Sequence, residues 1–101
     1  MKKILLCCSA GMSTSMLVKK MEQAAMERGV DCKITAMSVS NFDDAIIEYD
    51  VCLLGPQVRF QLEELKKVAD EHGKNIAAIS AQDYGMMKGN EVLTQALELI
   101  N

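Results

Sequence analysis

Three short apolar runs, Ile4-Leu5-Leu6-Cys7-Cys8, Val51-Cys52-Leu53-Leu54 and Ile76-Ala77-Ala78-Ile79, punctuate the chain, and helical patterns separate them. Runs this short and unbroken suit strands buried on both faces, the signature of a parallel sheet. The first strand is expected at residues 3–8. The segment Cys32 to Met37 alternates more and reads as an edge strand. After the first strand, Leu17, Met21, Ala24 and Ala25 share one face of a helix expected from Met16, with Gly29 as its C-terminal cap. Ser38 to Asn41 reads as a loop and Asp43 to Glu48 as a short helix. Pro56 opens a helix that places Val58, Leu62, Leu65 and Ala69 on one face and stops near His72-Gly73. Ser80 to Asn90 reads as a loop containing one helical turn. A last helix buries Leu93, Ala96, Leu97 and Ile100.

Strands alternating with helices predict right-handed βαβ units. The fold class is α/β: a four-stranded parallel sheet of order 2-1-3-4, with helices on both faces, in one domain over residues 1–101. In such a sheet the functional crevice lies beyond the carboxyl ends of the strands, where the order reverses. Three loops should meet there: Cys8 to Ser13, Gly55 to Arg59, and Ser80 to Gly85.

The first of these loops carries the chemistry. Cys8 is followed by Ser9, Ala10, Gly11, Met12, Ser13, Thr14 and Ser15, small or hydroxylated residues at a strand-to-helix turn. A turn of this kind aims backbone N–H groups and the positive end of a helix at one spot, which suits an anion. A cysteine at its rim loses its proton more easily. Helix starts normally favour acidic residues, yet the first acid in the chain is Glu22, and Lys2, Lys3, Lys19 and Lys20 precede it. A simple helix cap by Ser13 or Thr14 explains the hydroxyls but not the missing acids. Cys7 and Cys8, neighbours at a strand end, should point to opposite sides, with Cys8 facing the loop.

Composition removes several classes of function. The chain has 101 residues, a net charge of −3, two Tyr, two Phe and no Trp. It offers neither a basic footprint nor a stacking platform for nucleic acid. No apolar run approaches a membrane span, and the segment after Lys2-Lys3 is too short for a secretory signal. The expected location is the cytoplasm. The four cysteines form no CxxC and the one histidine, His72, is distant from the loop, so no metal site is expected. Cys7, Cys32 and Cys52 read as small buried hydrophobes, and Met16, Met21 and Met26 as helix packing. Met12, on the loop, offers an adaptable contact to docking partners.

The cysteine loop invites comparison with low-molecular-weight tyrosine phosphatases, whose motif is a Cys, five residues, an Arg, then Ser or Thr. From Cys8 the arginine position falls on Thr14, so the bidentate guanidinium clamp is missing. Arg59 on the neighbouring loop could stand in, with a surface role equally open, and Asp83 resembles the phosphatase acid. What the loop can do is hold a phosphoryl group on sulfur, since phosphoryl transfer needs alignment and stabilisation of the equatorial oxygens. The loop has no Walker lysine or carboxylate pair to seat a nucleotide or metal, and no cofactor is expected.

Cys8 to Ser15, followed by Leu53-Leu54-Gly55-Pro56-Gln57 and Tyr84-Gly85, resembles the enzyme IIB components of the bacterial sugar phosphotransferase system, in the lactose/chitobiose (cellobiose) family. The resemblance covers nearly the whole chain. It implies that Cys8 accepts phosphate from a phosphohistidine of enzyme IIA and passes it to a sugar carried by the membrane component IIC. Cellobiose, chitobiose or a related β-disaccharide is the implied substrate. It implies residues 9–15 as the phosphate loop. Beside it, Gln57 and Arg59 are candidate phosphate or partner contacts, with a helix N-terminus and a surface arginine equally open, and Tyr84 is a candidate contact or packing residue. It also implies work at the inner face of the membrane through IIC without inserting; the sequence carries no clear oligomer signal, and a monomer is the default expectation. Cys7 departs from the family, where a bulkier apolar residue is expected. The alternative is a phosphatase- or arsenate-reductase-like cysteine enzyme; a third reading is a redox module built on Cys7 and Cys8.

Overall fold

The structure is a computed structural model that describes residues 1–9 and 11–100, without the side chains of residues 11–13. Four parallel strands, β1 (Lys2–Cys8), β2 (Cys32–Ser38), β3 (Val51–Leu54) and β4 (Asn75–Ala78), form a sheet of order β2-β1-β3-β4. The expected order is the observed one. In register, β1 sets Leu5 beside Thr35 on one side and Cys52 on the other. Flanked on both edges, β1 buries Ile4, Leu5, Leu6 and Cys7 completely, and β3 does the same with all four of its residues. The edge strands β2 and β4 are only partly covered.

Alternation along the strands divides the core in two. Ile4, Leu6, Val51 and Leu53 face α1 (Gly11–Arg28), from which Leu17, Met21, Ala24 and Ala25 descend as expected. Leu5, Cys7, Cys52 and Leu54 face the opposite layer. That layer holds α2 (Phe42–Ala45), framed by two 3-10 turns, and α3 (Leu62–Glu71). The short α4 (Ala81–Gly85) and α5 (Gly89–Leu99) return to the α1 side, where Tyr84, Val92, Leu93 and Ala96 are buried. Leu97 and Ile100 pack partly buried at its margin.

Several local expectations change. The helix expected from Met16 already runs from Gly11, since nothing between them breaks it and each added residue gains a hydrogen bond. The helix expected from Pro56 begins instead as a 3-10 turn, Pro56–Gln61. Its backbone leaves helical angles at Val58 (φ −119°, ψ 15°), whose side chain is buried in the second core. Met21 packs, whereas Met16 and Met26 are exposed, because they lie off the stripe defined by Leu17 and Met21. Helices α1 and α3 both end on a left-handed glycine, Gly29 and Gly73 (φ 68° each). In each, the next N–H reaches back to the last turn, Val30 to the Ala25 carbonyl and Lys74 to that of Ala69 (2.9 Å each). At the end of α4 the same left-handed position falls to Met87 (φ 53°), with the Lys88 N–H donating to the Asp83 carbonyl.

Candidate active site

Cys8 is the last residue of β1 and is 1 % exposed, deeper than its expected place at a rim. Central strands end deep in this fold because the ladder continues past them. The Gly55 N–H donates to the Cys7 carbonyl and the Ile79 N–H to that of Leu54, both at 2.8 Å. These two bonds draw the segments that follow β3 and β4 alongside the end of β1. A Cβ placed on Gly55 would stand 3.5 Å from the Cys8 Cβ and 3.5 Å from Cε2 of Tyr84. The same point is 2.7 Å from Oε1 of Gln57. Cys8, Gln57 and Tyr84 thus surround the one residue without a side chain, and the three expected loops do meet.

The three hydroxylated residues of the 9–15 segment whose side chains are described differ in exposure. Ser9 and Ser15 are exposed. Thr14, expected to offer its hydroxyl to phosphate, is 1 % exposed and lies 2.9 Å from the Tyr84 hydroxyl. A buried hydroxyl needs a partner, and the phenol supplies it. Gly11, Met12 and Ser13 lie in the first turn of α1, their side chains outside the described residues, and Ala10 lies outside them altogether. The first turn of α1 carries no acid, so the positive end of the helix is unopposed there.

Tyr84 is 7 % exposed and packs into the first core. Gln57 and Arg59 are exposed. Arg59 borders an open depression of about 520 Å³ with Ile79, Ser80, Asp83 and Gln95. His72 sits exposed at the end of α3. Among the described residues no three of His, Cys, Asp and Glu gather where they could hold a metal ion.

Cys7 points away from Cys8, into the second core, and is fully buried. Burial, and then a hydrogen bond with Cys7, pushes the Cys52 thiol well above its ordinary value of 9.0. Cys32, at the far end of β2, is half-buried, with its thiol raised by burial and by the carboxylates of Asp31 and Glu22. None of the four cysteines is in a disulfide. The Thr14–Tyr84 pair had no signal in the sequence, its members being 70 residues apart.

Comparison with known proteins agrees with this geometry. Residues 3–95 match the family model of the PTS system lactose/cellobiose-specific IIB subunit. The chain is 47% identical to the galactose-specific EIIB component of Lactococcus lactis subsp. cremoris, covering 99% of this chain and 97% of that one. It is 41% identical to the oligo-beta-mannoside-specific EIIB component of Bacillus subtilis, with the same coverage. Among solved structures, the cellobiose-specific IIB component of Borrelia burgdorferi superposes with a TM-score of 0.82 at 38% identity, over 99% of this chain and 92% of that one. Sequence and fold together place this chain in the lactose/cellobiose-specific IIB subunit family of the sugar phosphotransferase system.

Proposed function

We propose that Cys8 is the phosphoryl carrier of this chain. Family membership makes the protein a phosphotransferase of a sugar transport system; the proposal concerns the atom, the partners and the sugar. The observation that carries it is the seat of Cys8, at the end of the central strand and directly before a helix start free of acid. In the first step the Cys8 thiolate attacks the phosphorus of a phosphohistidine on enzyme IIA. The N–P bond breaks as the S–P bond forms, and the histidine nitrogen keeps the electron pair. In the second step a sugar hydroxyl on IIC attacks, O–P forms, S–P breaks, the hydroxyl proton leaves to solvent, and the thiolate returns.

Backbone N–H groups at the start of α1 are suited to stabilise the charge that develops on the equatorial oxygens. The phosphatase reading loses its clamp, since the arginine position is Thr14, whose hydroxyl is engaged by Tyr84. A redox pair of Cys7 and Cys8 is disfavoured because Cys7 is packed into the second core while Cys8 lies beside Gly55, away from it.

The sugar we propose is cellobiose, chitobiose or a related β-disaccharide, held by IIC and phosphorylated at its cytoplasmic face by a monomeric, single-domain IIB. No helix among the described residues is long and apolar enough to cross a membrane, so IIC would supply the membrane passage. Gln57, exposed beside Cys8, is suited to contact the phosphoryl group or a partner, and Arg59 to contact a partner. Intact-protein mass spectrometry after incubation with phosphoenolpyruvate, the general phosphotransferase proteins and a matching IIA tests the carrier. One added phosphate is expected in the wild type and in Cys7→Ser, and none in Cys8→Ser. An adduct that persists in Cys8→Ser would refute the assignment.

A further inference from the structure

Thr14 is the one polar residue among those described that is fully buried, and it stands six positions after Cys8 in the first turns of α1. Its hydroxyl is paired with that of Tyr84 at 2.9 Å. The tyrosine ring continues to Gly55, where its Cε2 and the Cys8 Cβ flank the same point at 3.5 Å each. One rigid side chain therefore bonds to the beginning of α1 and borders, with Cys8, the space over Gly55. Tyr84 is itself fixed: α4 is capped by Ser80, whose hydroxyl accepts from the Asp83 N–H at 3.1 Å. The Tyr84 N–H donates to the Ser80 carbonyl at 3.0 Å.

We infer that Tyr84 and Thr14 form a positioning pair that sets the start of α1 relative to the Cys8 sulfur, and so governs the rate of phosphoryl transfer. The inference rests on the reading of Cys8 as acceptor. Donors aimed at developing charge lose much of their effect when displaced by about an ångström. A hydroxyl pair turned into the core acts through the helix it holds, so it should affect turnover and leave donor recognition unchanged.

The test is a time course of phosphate uptake, read by intact mass at several concentrations of phosphorylated donor. Tyr84→Phe, Thr14→Val, their double variant, Thr14→Ser and Cys8→Ser are compared with the wild type, with urea midpoints measured alongside. Tyr84→Phe and Thr14→Val should each lower kcat roughly five- to tenfold, the measure of one buried hydrogen bond, with KM for the donor unchanged. The double variant should be no slower than the slower single one, because both remove the same contact. Thr14→Ser should restore the rate to within about twofold, since it keeps the hydroxyl.

A wild-type kcat in well-folded Tyr84→Phe, a raised KM at unchanged kcat, or singly observed losses that multiply would each overturn the inference. Should Tyr84→Phe fail to fold, Thr14→Val decides by the same criteria. An adduct surviving in Cys8→Ser would sink the acceptor reading and this inference with it. An adduct lost in Cys8→Ser with full-speed Tyr84→Phe would remove the positioning pair alone.

Discussion

Gly89→Ala probes a close approach between two helices, α5 and α1. Gly89 is buried at the start of α5, where that helix meets α1. A Cβ built there would stand 2.5 Å from the carbonyl carbon of Lys20, 2.6 Å from its oxygen and 2.7 Å from its Cβ. Two of these atoms are backbone in the middle of an 18-residue helix, so no side chain can swing aside. Relief requires α5 to move outward, which loosens Val92, Leu93 and Ala96 from Leu17 and Met21. Overpacking of this kind costs about 1–3 kcal/mol, and the backbone contact argues for the upper half of that range. Alanine returns up to about 1 kcal/mol as the better helix former. The net loss is about 1–2 kcal/mol, which for a domain of this size lowers Tm by roughly 5–15 °C.

Gly85→Ala is the internal control. Gly85 ends α4 without left-handed angles, and its Cβ would meet nothing within 4 Å. That substitution should be neutral or stabilising by up to about 1 kcal/mol. Calorimetry and urea unfolding of both variants measure the difference. A Gly89→Ala protein as stable as the wild type would refute the close approach of α5 to α1. Equal losses in both variants would show that the effect belongs to glycine replacement and not to the contact.

Two further outcomes follow from the same reasoning. The Cys52 thiol, raised above 9.0 in the folded chain, contributes stability that is complete below that value. As pH climbs past it the unfolded chain ionises first and stability falls, by up to about 1.4 kcal/mol per pH unit for the one thiol. Urea midpoints across that range should show a shallower alkaline decline in Cys52→Ala, and an identical slope would exclude the thiol as its source. Arg28, at the end of α1, donates from Nη1 to Oδ1 of Asn90 (3.0 Å) and Oγ1 of Thr94 (2.8 Å) on α5. Arg28→Ala should cost about 1 kcal/mol, read by urea unfolding, and no change would mean that water replaces both bonds without loss.

The sequence by itself determined the sheet, its order and the strand that carries Cys8. Unbroken apolar runs can satisfy their backbone only inside a sheet covered on both faces, and right-handed crossovers leave few ways to order four strands. The stripe of Leu17, Met21, Ala24 and Ala25 is equally local, because helical periodicity is written in consecutive residues. The opposed directions of Cys7 and Cys8 needed only the two-residue repeat of a strand.

What tertiary structure alone decided is how distant residues close around that cysteine. No pattern in the chain sets the Thr14 hydroxyl against a phenol 70 residues away, or makes Gly55 the bare point between Cys8 and Tyr84. The same holds for Gly89, ordinary in sequence and crowded by the Lys20 backbone once α5 lies on α1. Periodicity reports which face of an element is buried, whereas contacts between elements depend on how closely whole helices and strands approach. That distance is fixed only when every face is packed at once.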